Sequence, residues 1–189
     1  MKTRALLVAR AAAVAALLLW AAPPAFADAR SNAKAQVDFG IKVAQNGLWK
    51  EATYRWEKAV EIDPTYAAAW NNLGLLLHRM GRYDEARGAY TAALEQDKQC
   101  CEAVYNLGSL AEDRADLDEA VRCYRHALEL SPDYADAHFN LAGALARSGR
   151  SDEAIVHWQR YLELDAGSPW ARIARAHLEV MEPPGDPQE

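Results

Sequence analysis

The feature that most constrains this chain is a self-similarity that recurs every 34 residues. Four windows begin at Ala33, Ala67, Cys101 and Ala135, each 34 residues after the previous one. Within a window, position 8 is Gly or Ala, position 20 is Ala, and position 24 is a bulky aromatic ring. A period of this length is typical of repeat folds, in which each unit buries its apolar face only by stacking on its neighbours. Four such units of 34 residues account for 136 of the 189 residues, which leaves too few for a catalytic domain of typical size.

Each window predicts two antiparallel helices joined by a tight turn. Positions 4, 7, 8 and 11 share one helical face, and positions 20, 24 and 27 share another. Position 15 is Gly in three windows and Ala115 in the third, and Gly suits the left-handed residue that ends a helix. The small residue at position 8 is predicted to lie opposite the alanine at position 20. On this interpretation Gly108 faces Ala120, and the two helices of the repeat approach each other closely.

A four-residue pattern identifies the type of repeat. Trp70, Leu73, Gly74 and Leu77 occur with the spacing W-x2-L-G-x2-L, and the period extends from Ala33 to about Ala166. The chain therefore resembles the tetratricopeptide repeat (TPR) family. The resemblance implies an all-α fold: a right-handed α-solenoid of four helix-turn-helix repeats, followed by a capping helix at the C-terminal end.

The predicted boundaries follow the period. Pro169 after Ser168 marks the start of the capping helix, because proline is favoured at the first helical position. The face that this helix packs on repeat 4 is predicted to consist of Trp170, Ile173, Ala174 and His177. We expect a signal peptide at 1–27, a leader at 28–32, TPR repeats at 33–66, 67–100, 101–134 and 135–168, the capping helix at 169–182 and a disordered tail at 183–189.

The first 27 residues predict a secretory signal peptide. Basic residues precede an uninterrupted apolar run, 11–22, and Ala25 and Ala27 stand at −3 and −1 of a cleavage site. The alternative is an uncleaved membrane anchor, but twelve apolar residues rise only ~18 Å as a helix, against a hydrocarbon core of ~30 Å. We therefore expect export to the periplasm or cell envelope of a bacterium. After cleavage we expect no stable membrane insertion.

Charge and motif content exclude several classes of function. The net charge of −6 leaves no basic footprint for nucleic acid. The five histidines fall at unrelated repeat positions, and no nucleophile elbow, phosphate loop or zinc-protease helix occurs. We expect no catalytic residue, no metal ligand and no cofactor, and the chain is predicted not to be an enzyme. One alternative stays open: a redox or metal accessory protein that uses Cys100, Cys101 and Cys123.

The resemblance also implies where a partner binds. In the TPR family the first helices of the repeats line a concave groove, with positions 2, 5, 6, 9, 12 and 13 facing it. The clamp that grips a chaperone's terminal carboxylate, Lys at 5 with Asn at 9, is absent here. The groove residues that we expect to contact a peptide are Asn72, Asn106 and Asn140 at position 6, Tyr105 and Phe139 at position 5, and Arg79 and Arg147 at position 13.

The sequence thus predicts a protein-interaction module rather than a catalyst. We expect a scaffold or assembly factor of the bacterial cell envelope, whose partner is another protein that places an extended or helical segment in the groove. A preformed groove lowers the ordering cost of such binding.

Overall fold

The computed structural model describes residues 24–181, and all of their regular structure is α-helical. The prediction of an all-α repeat fold is therefore confirmed. The predicted tail 183–189 and most of the predicted signal peptide 1–27 lie outside the described residues. The nine helices of the described part are α1 (Pro24–Gln45), α2 (Trp49–Ile62), α3 (Ala67–Arg79), α4 (Tyr83–Gln96), α5 (Cys101–Asp113), α6 (Leu117–Leu130), α7 (Ala135–Arg147), α8 (Ser151–Leu164) and α9 (Pro169–Met181).

The helices form two compact units. The first extends to Ala103 and contains α1 to α4 and the start of α5, and the second extends from Val104 and contains the rest of α5 and α6 to α9. In the first unit α1 packs on α2 and α3, and α3 also packs on α2 and α4. In the second unit α7 packs on α6 and α8, and α9 packs on α8. Within the described residues, no helix has both the length and the apolar character needed to cross a bilayer.

The glycine at position 8 allows the two helices of a repeat to pack closely, but its neighbour differs from the prediction. A methyl group on Gly108 would lie 2.7 Å from Cε1 of Tyr124 and 3.2 Å from Cβ of Cys123. The closest side chains are thus those of Tyr124 and Cys123, at positions 24 and 23, rather than that of Ala120. The bulky ring occupies the space that a side chain at position 8 would need, so the glycine makes room for the ring. The same contact joins Gly40 to Trp56 and Gly74 to Tyr90.

The turns inside the repeats have the predicted left-handed residue. Position 15 has a φ of 75° at Gly47, 71° at Gly81 and 79° at Gly149, and Ala115 adopts a φ of 62° at the same position. At the second turn, the backbone N–H of Arg82 donates to the carbonyl of Leu77 at 2.9 Å. This hydrogen bond spans six residues. It satisfies the backbone carbonyl of Leu77, which has no partner within α3 because the helix ends there.

The first helix is longer than the period predicts, because α1 begins nine residues before its window. The predicted leader 28–32 is therefore helical. Arg30 pairs with Asp63, donates to Oγ1 of Thr65 at 2.9 Å, and places its guanidinium 4.8 Å from the ring centre of Tyr66. Burial opposes ionisation of Asp63, but the hydrogen bonds from Thr65 and Arg30 outweigh it and lower the pKa of this carboxyl. The leader is thus fixed to the loop after α2.

The last helix packs through part of the predicted face: Ala174 is buried, and the ring of His177 stacks on that of Trp158 with centres 4.4 Å apart. Ala171 and Ala174 are fully buried against Trp158 and Tyr161, whereas Trp170 is 57% exposed. Ile173 is also exposed, and Leu178 and Met181 complete the packed face. The prediction is thus wrong for Trp170 and Ile173. Ala171 is buried instead, because the two large rings of α8 already fill the interface and leave room there only for small side chains.

Candidate functional site

In the second unit, the first helices of two successive repeats meet side by side. The amide Nδ2 of Asn140 on α7 donates to the hydroxyl of Tyr105 on α5 at 2.7 Å. Two turns further along α5, the guanidinium of Arg147 donates to Oε1 of Glu112 at 2.5 Å. Both contacts join residues of α5 to residues of α7. Four of the polar groups that line this side of the unit are therefore held in place before any partner arrives.

Tyr105 is the central ring of this surface. Its ring centre lies 5.6 Å from that of Tyr124 and 5.0 Å from that of Tyr134. Burial and the nearby carboxylate of Asp136 raise the pKa of Tyr105 to about 12. The phenol therefore keeps its proton at physiological pH. It accepts one hydrogen bond from Asn140 and retains an O–H that can donate.

Glu112 connects the interior of the unit to this surface. Its Oε2 accepts a hydrogen bond from the hydroxyl of Tyr124 at 2.9 Å, while its Oε1 accepts from Arg147. Tyr124 is fully buried, and burial together with the carboxylate of Glu112 raises the pKa of its phenol. Glu112, at repeat position 12, therefore pairs with Arg147 and also fixes the buried ring of Tyr124 through its hydroxyl.

Phe139 lies between two other rings on the same side of the unit. Its centre lies 5.1 Å from that of Tyr161 and 5.7 Å from that of Trp170, and both contacts are edge-to-face. This geometry is favourable for aromatic pairs. Because Trp170 is more than half exposed, the cluster reaches the solvent. The period assigned Trp170 to the packed face of α9, and therefore did not predict it as a contact residue.

In the first unit, the predicted site residues contact their own neighbours. The amide of Asn72 donates to the carbonyl of Ala68 on the same helix at 2.7 Å. The guanidinium of Arg79 lies 4.2 Å from the ring centre of Trp49. Asn106, the other predicted amide, is half-buried on α5. The three asparagines thus share a repeat position, but Asn72 and Asn140 use their amides differently.

In the first unit, the side chains at repeat position 9 form an apolar surface. Ile41 on α1 and Leu75 on α3 are 38% and 37% exposed, and these two helices contact each other. In the second unit the same position holds Ser109 and Gly143, and a side chain at Gly143 would meet nothing within 4 Å. The second unit therefore has open space between its polar groups, whereas the first has exposed aliphatic side chains.

The burial of the cysteines, and the pKa values of two of them, are those of structural rather than reactive thiols. All three are free and half-buried. Burial raises the pKa of Cys100 to about 11 and also raises that of Cys101, so both keep their protons at neutral pH and are poor nucleophiles. Among the described residues, no cluster of three or more His, Cys, Asp or Glu side chains is arranged to hold a metal. These observations give the redox or metal alternative no support.

A pair of histidines lies outside the predicted site. Nδ1 of His138 on α7 and Nδ1 of His157 on α8 are 2.9 Å apart, and Nε2 of His138 lies 2.9 Å from the carbonyl oxygen of Pro132. Because a carbonyl only accepts, the proton of neutral His138 belongs on Nε2, and its Nδ1 accepts from His157. Burial, His138 and the nearby Arg125 lower the pKa of His157. The pair shows no repeat signature that sequence reasoning could have used.

Comparisons with known proteins agree with the repeat architecture. Two family models, each described as a tetratricopeptide repeat, match residues 56–88 and 105–169. No curated protein matches the sequence.

Several solved structures share the fold. PilF of Pseudomonas aeruginosa is 22% identical with a TM-score of 0.75, over 82% of this chain and 71% of that one. MamA is 24% identical with a TM-score of 0.62, over 70% and 78%. YrrB, described as a TPR protein with an unusual peptide-binding site, is 23% identical with a TM-score of 0.61, over 86% of each chain. At these identities the likeness shows the fold alone. Together, the 34-residue period, the helical hairpins and the two matching repeat models show that the chain belongs to the tetratricopeptide repeat family.

Proposed function

We propose that this chain is a non-enzymatic scaffold or assembly factor of the bacterial cell envelope, which binds an extended or helical segment of a partner protein on its first helices. The TPR fold itself supports the coarser function of a protein-interaction module. The predicted signal peptide 1–27 motivates the envelope location.

One observation carries the proposed position of the site. The hydrogen bond from Asn140 to Tyr105 and the ion pair of Arg147 with Glu112 join the two first helices of the second unit on the same side. A surface whose polar groups are already ordered loses little entropy on binding, which favours recognition of a flexible segment. YrrB, which shares the fold, is described as having a peptide-binding site, and this description agrees with such a role.

Site-specific photo-crosslinking tests this proposal. A benzoylphenylalanine at Gly143 lies in the open space between the two pairs of residues, and it should crosslink a defined envelope protein in living cells. The same residue at Val156 is the matched control, because Val156 is 61% exposed on α8, a second helix of the same unit. Crosslinking from Val156 but not from Gly143 would place the binding surface on the second helices and contradict the proposal.

A further inference from the structure

The two units differ in whether a cationic side chain lies over their solvent-facing aromatic rings. In the first unit, cationic side chains of the chain itself cover the rings: the guanidinium of Arg55 lies 4.5 Å from the ring centre of Phe39, and that of Arg79 lies 4.2 Å from Trp49. In the described part of the second unit, no cation lies over Phe139 or Trp170. The rings at the C-terminal end thus offer aromatic faces that the chain itself leaves uncovered.

Trp170 is exposed because the fold gives it nothing to pack against except Phe139. The alanines of α9 occupy the interface with α8, so the indole points away from the core and remains 57% exposed. Trp is the residue type that most often dominates binding energy at protein interfaces. An exposed Trp in edge-to-face contact with a second, half-buried ring is therefore a suitable anchor point for a partner side chain.

A carboxylate lies next to these rings. Asp136 is three residues before Phe139 on α7, which places both on one face of the helix. The negative charge of Asp136 helps to raise the pKa of Tyr105 and of Tyr161, so the carboxylate is within electrostatic range of both phenols. Asp136 is exposed, and among the described residues it makes no ion pair.

A second carboxylate, Asp165, accepts a hydrogen bond from the hydroxyl of Tyr161 at 3.2 Å. Of the cations on the neighbouring helices, Arg147 pairs with Glu112 and Arg175 donates to the carbonyl of Ala166 at 2.8 Å, while Arg172 is exposed on α9. Asp136 and Asp165 thus place two carboxylates beside the rings. An aromatic face beside a carboxylate is the chemical complement of a cation with an apolar stem.

We infer that the second unit recognises a partner segment through an arginine or lysine side chain, whose stem packs on Phe139 and Trp170 and whose charge pairs with Asp136. This inference rests on the proposed function and adds the chemistry of the partner. Arginine is the stronger ligand of the two, because its planar guanidinium stacks on rings and pairs with a carboxylate in a bidentate manner. An acidic side chain at this place would meet the like charge of Asp136.

Positional peptide libraries test the inference. The mature protein, residues 28–189, is immobilised at 150 mM salt and offered four pools of random octapeptides whose fourth residue is fixed as Arg, Lys, Leu or Glu. The expected result is retention of the Arg and Lys pools above the Leu pool, with the Glu pool retained least. Asp136→Asn should reduce retention of the Arg pool roughly 2–5-fold. Trp170→Ala should reduce it at least as much.

Glu129→Gln is the matched control, because Glu129 is an exposed carboxylate on α6, away from the rings. Circular dichroism confirms that each variant is folded. An equal loss for Glu129→Gln and Asp136→Asn would show a general charge effect and overturn the inference, as would retention with no preference for Arg or Lys. Retention of no pool at all would overturn the proposed function as well.

Discussion

Gly108 lies directly beneath the ring of Tyr124, and a methyl group at this glycine would come within 2.7 Å of Cε1 of that ring. Tyr124 is fully buried and its hydroxyl is held by Glu112, so it cannot move aside without losing a hydrogen bond. The spacing of the two helices in the third repeat therefore depends on a missing side chain at position 8.

Gly108→Leu should destabilise the protein by about 1–3 kcal/mol, because the added volume separates α5 from α6. Gly108→Ala should destabilise it less. Gly143→Ala is the control: its methyl group meets nothing within 4 Å, and removing a glycine from a helix stabilises by roughly 0.5–1 kcal/mol. Urea unfolding of the three variants measures this, and a neutral Gly108→Leu would contradict the packing described here.

Ala115 occupies a left-handed conformation that the other three repeats assign to glycine. An L-residue in this region has an unfavourable contact between Cβ and the backbone. Ala115→Gly should therefore stabilise the protein by about 0.5–1 kcal/mol, despite the greater flexibility of glycine in the unfolded chain.

The reverse substitution, Gly81→Ala, is the matched test of the same effect. The φ of Gly81 is 71° and its surroundings are open, so only backbone strain changes. A loss of stability similar in size to the gain from Ala115→Gly is expected in thermal melts. A loss of stability for Ala115→Gly, or no loss for Gly81→Ala, would show that strain does not control the turn.

The sequence predicted these turns well because a repeat position determines backbone conformation. The period placed α3, α5 and α7, which begin at Ala67, Cys101 and Ala135, and the turn predicted from glycine at position 15 is also adopted by Ala115. These features depend on backbone geometry and burial. Both properties recur at fixed positions of the 34-residue period, so the period predicts them.

The site was harder to predict because side-chain contacts are not periodic. Asn72 and Asn140 share position 6, yet one amide bonds to its own helix and the other to Tyr105. The exposure of Trp170 follows from the size of the rings on α8, since those rings leave room only for Ala171 and Ala174. Neither fact can be obtained from spacing alone.

From the His138–His157 pair we predict that the free energy of unfolding decreases at mildly acidic pH. The pKa of folded His157 lies below its ordinary value, so the unfolded chain takes up the proton first. Stability is therefore greatest above about pH 6.5 and decreases as the pH falls below that value. Arg125 disfavours the added charge and Glu153 favours it, and these two residues pair with each other.

Chemical denaturation at pH 7.5 and pH 5.5 measures this effect. His157→Gln should show a smaller loss between the two pH values than the wild type, because glutamine does not titrate. Asp63, whose pKa is lowered, acts only below about pH 4 and does not interfere in this window. Equal losses in the two proteins would exclude His157 as the responsible group.

The expected signal peptide leads to a separate prediction about the N-terminus of the exported protein. The mature protein should begin at Asp28, after the Ala25 and Ala27 cleavage signature, and it should occur in the periplasmic fraction. N-terminal sequencing of the protein from fractionated bacterial cells decides this. A protein that begins at Met1 and stays with the membrane would show that the segment is an anchor.

The central claim is that a partner segment binds on the first helices, and the affinity of a triple variant tests it most directly. The partner crosslinked from position 143 is purified, and its dissociation constant is measured by calorimetry for the wild type and for Asn72→Ala, Asn106→Ala, Asn140→Ala. Loss of three amides should weaken binding by about tenfold or more, with an almost unchanged melting temperature, because the side chains lie outside the core. An unchanged dissociation constant with an unchanged melt would contradict the account.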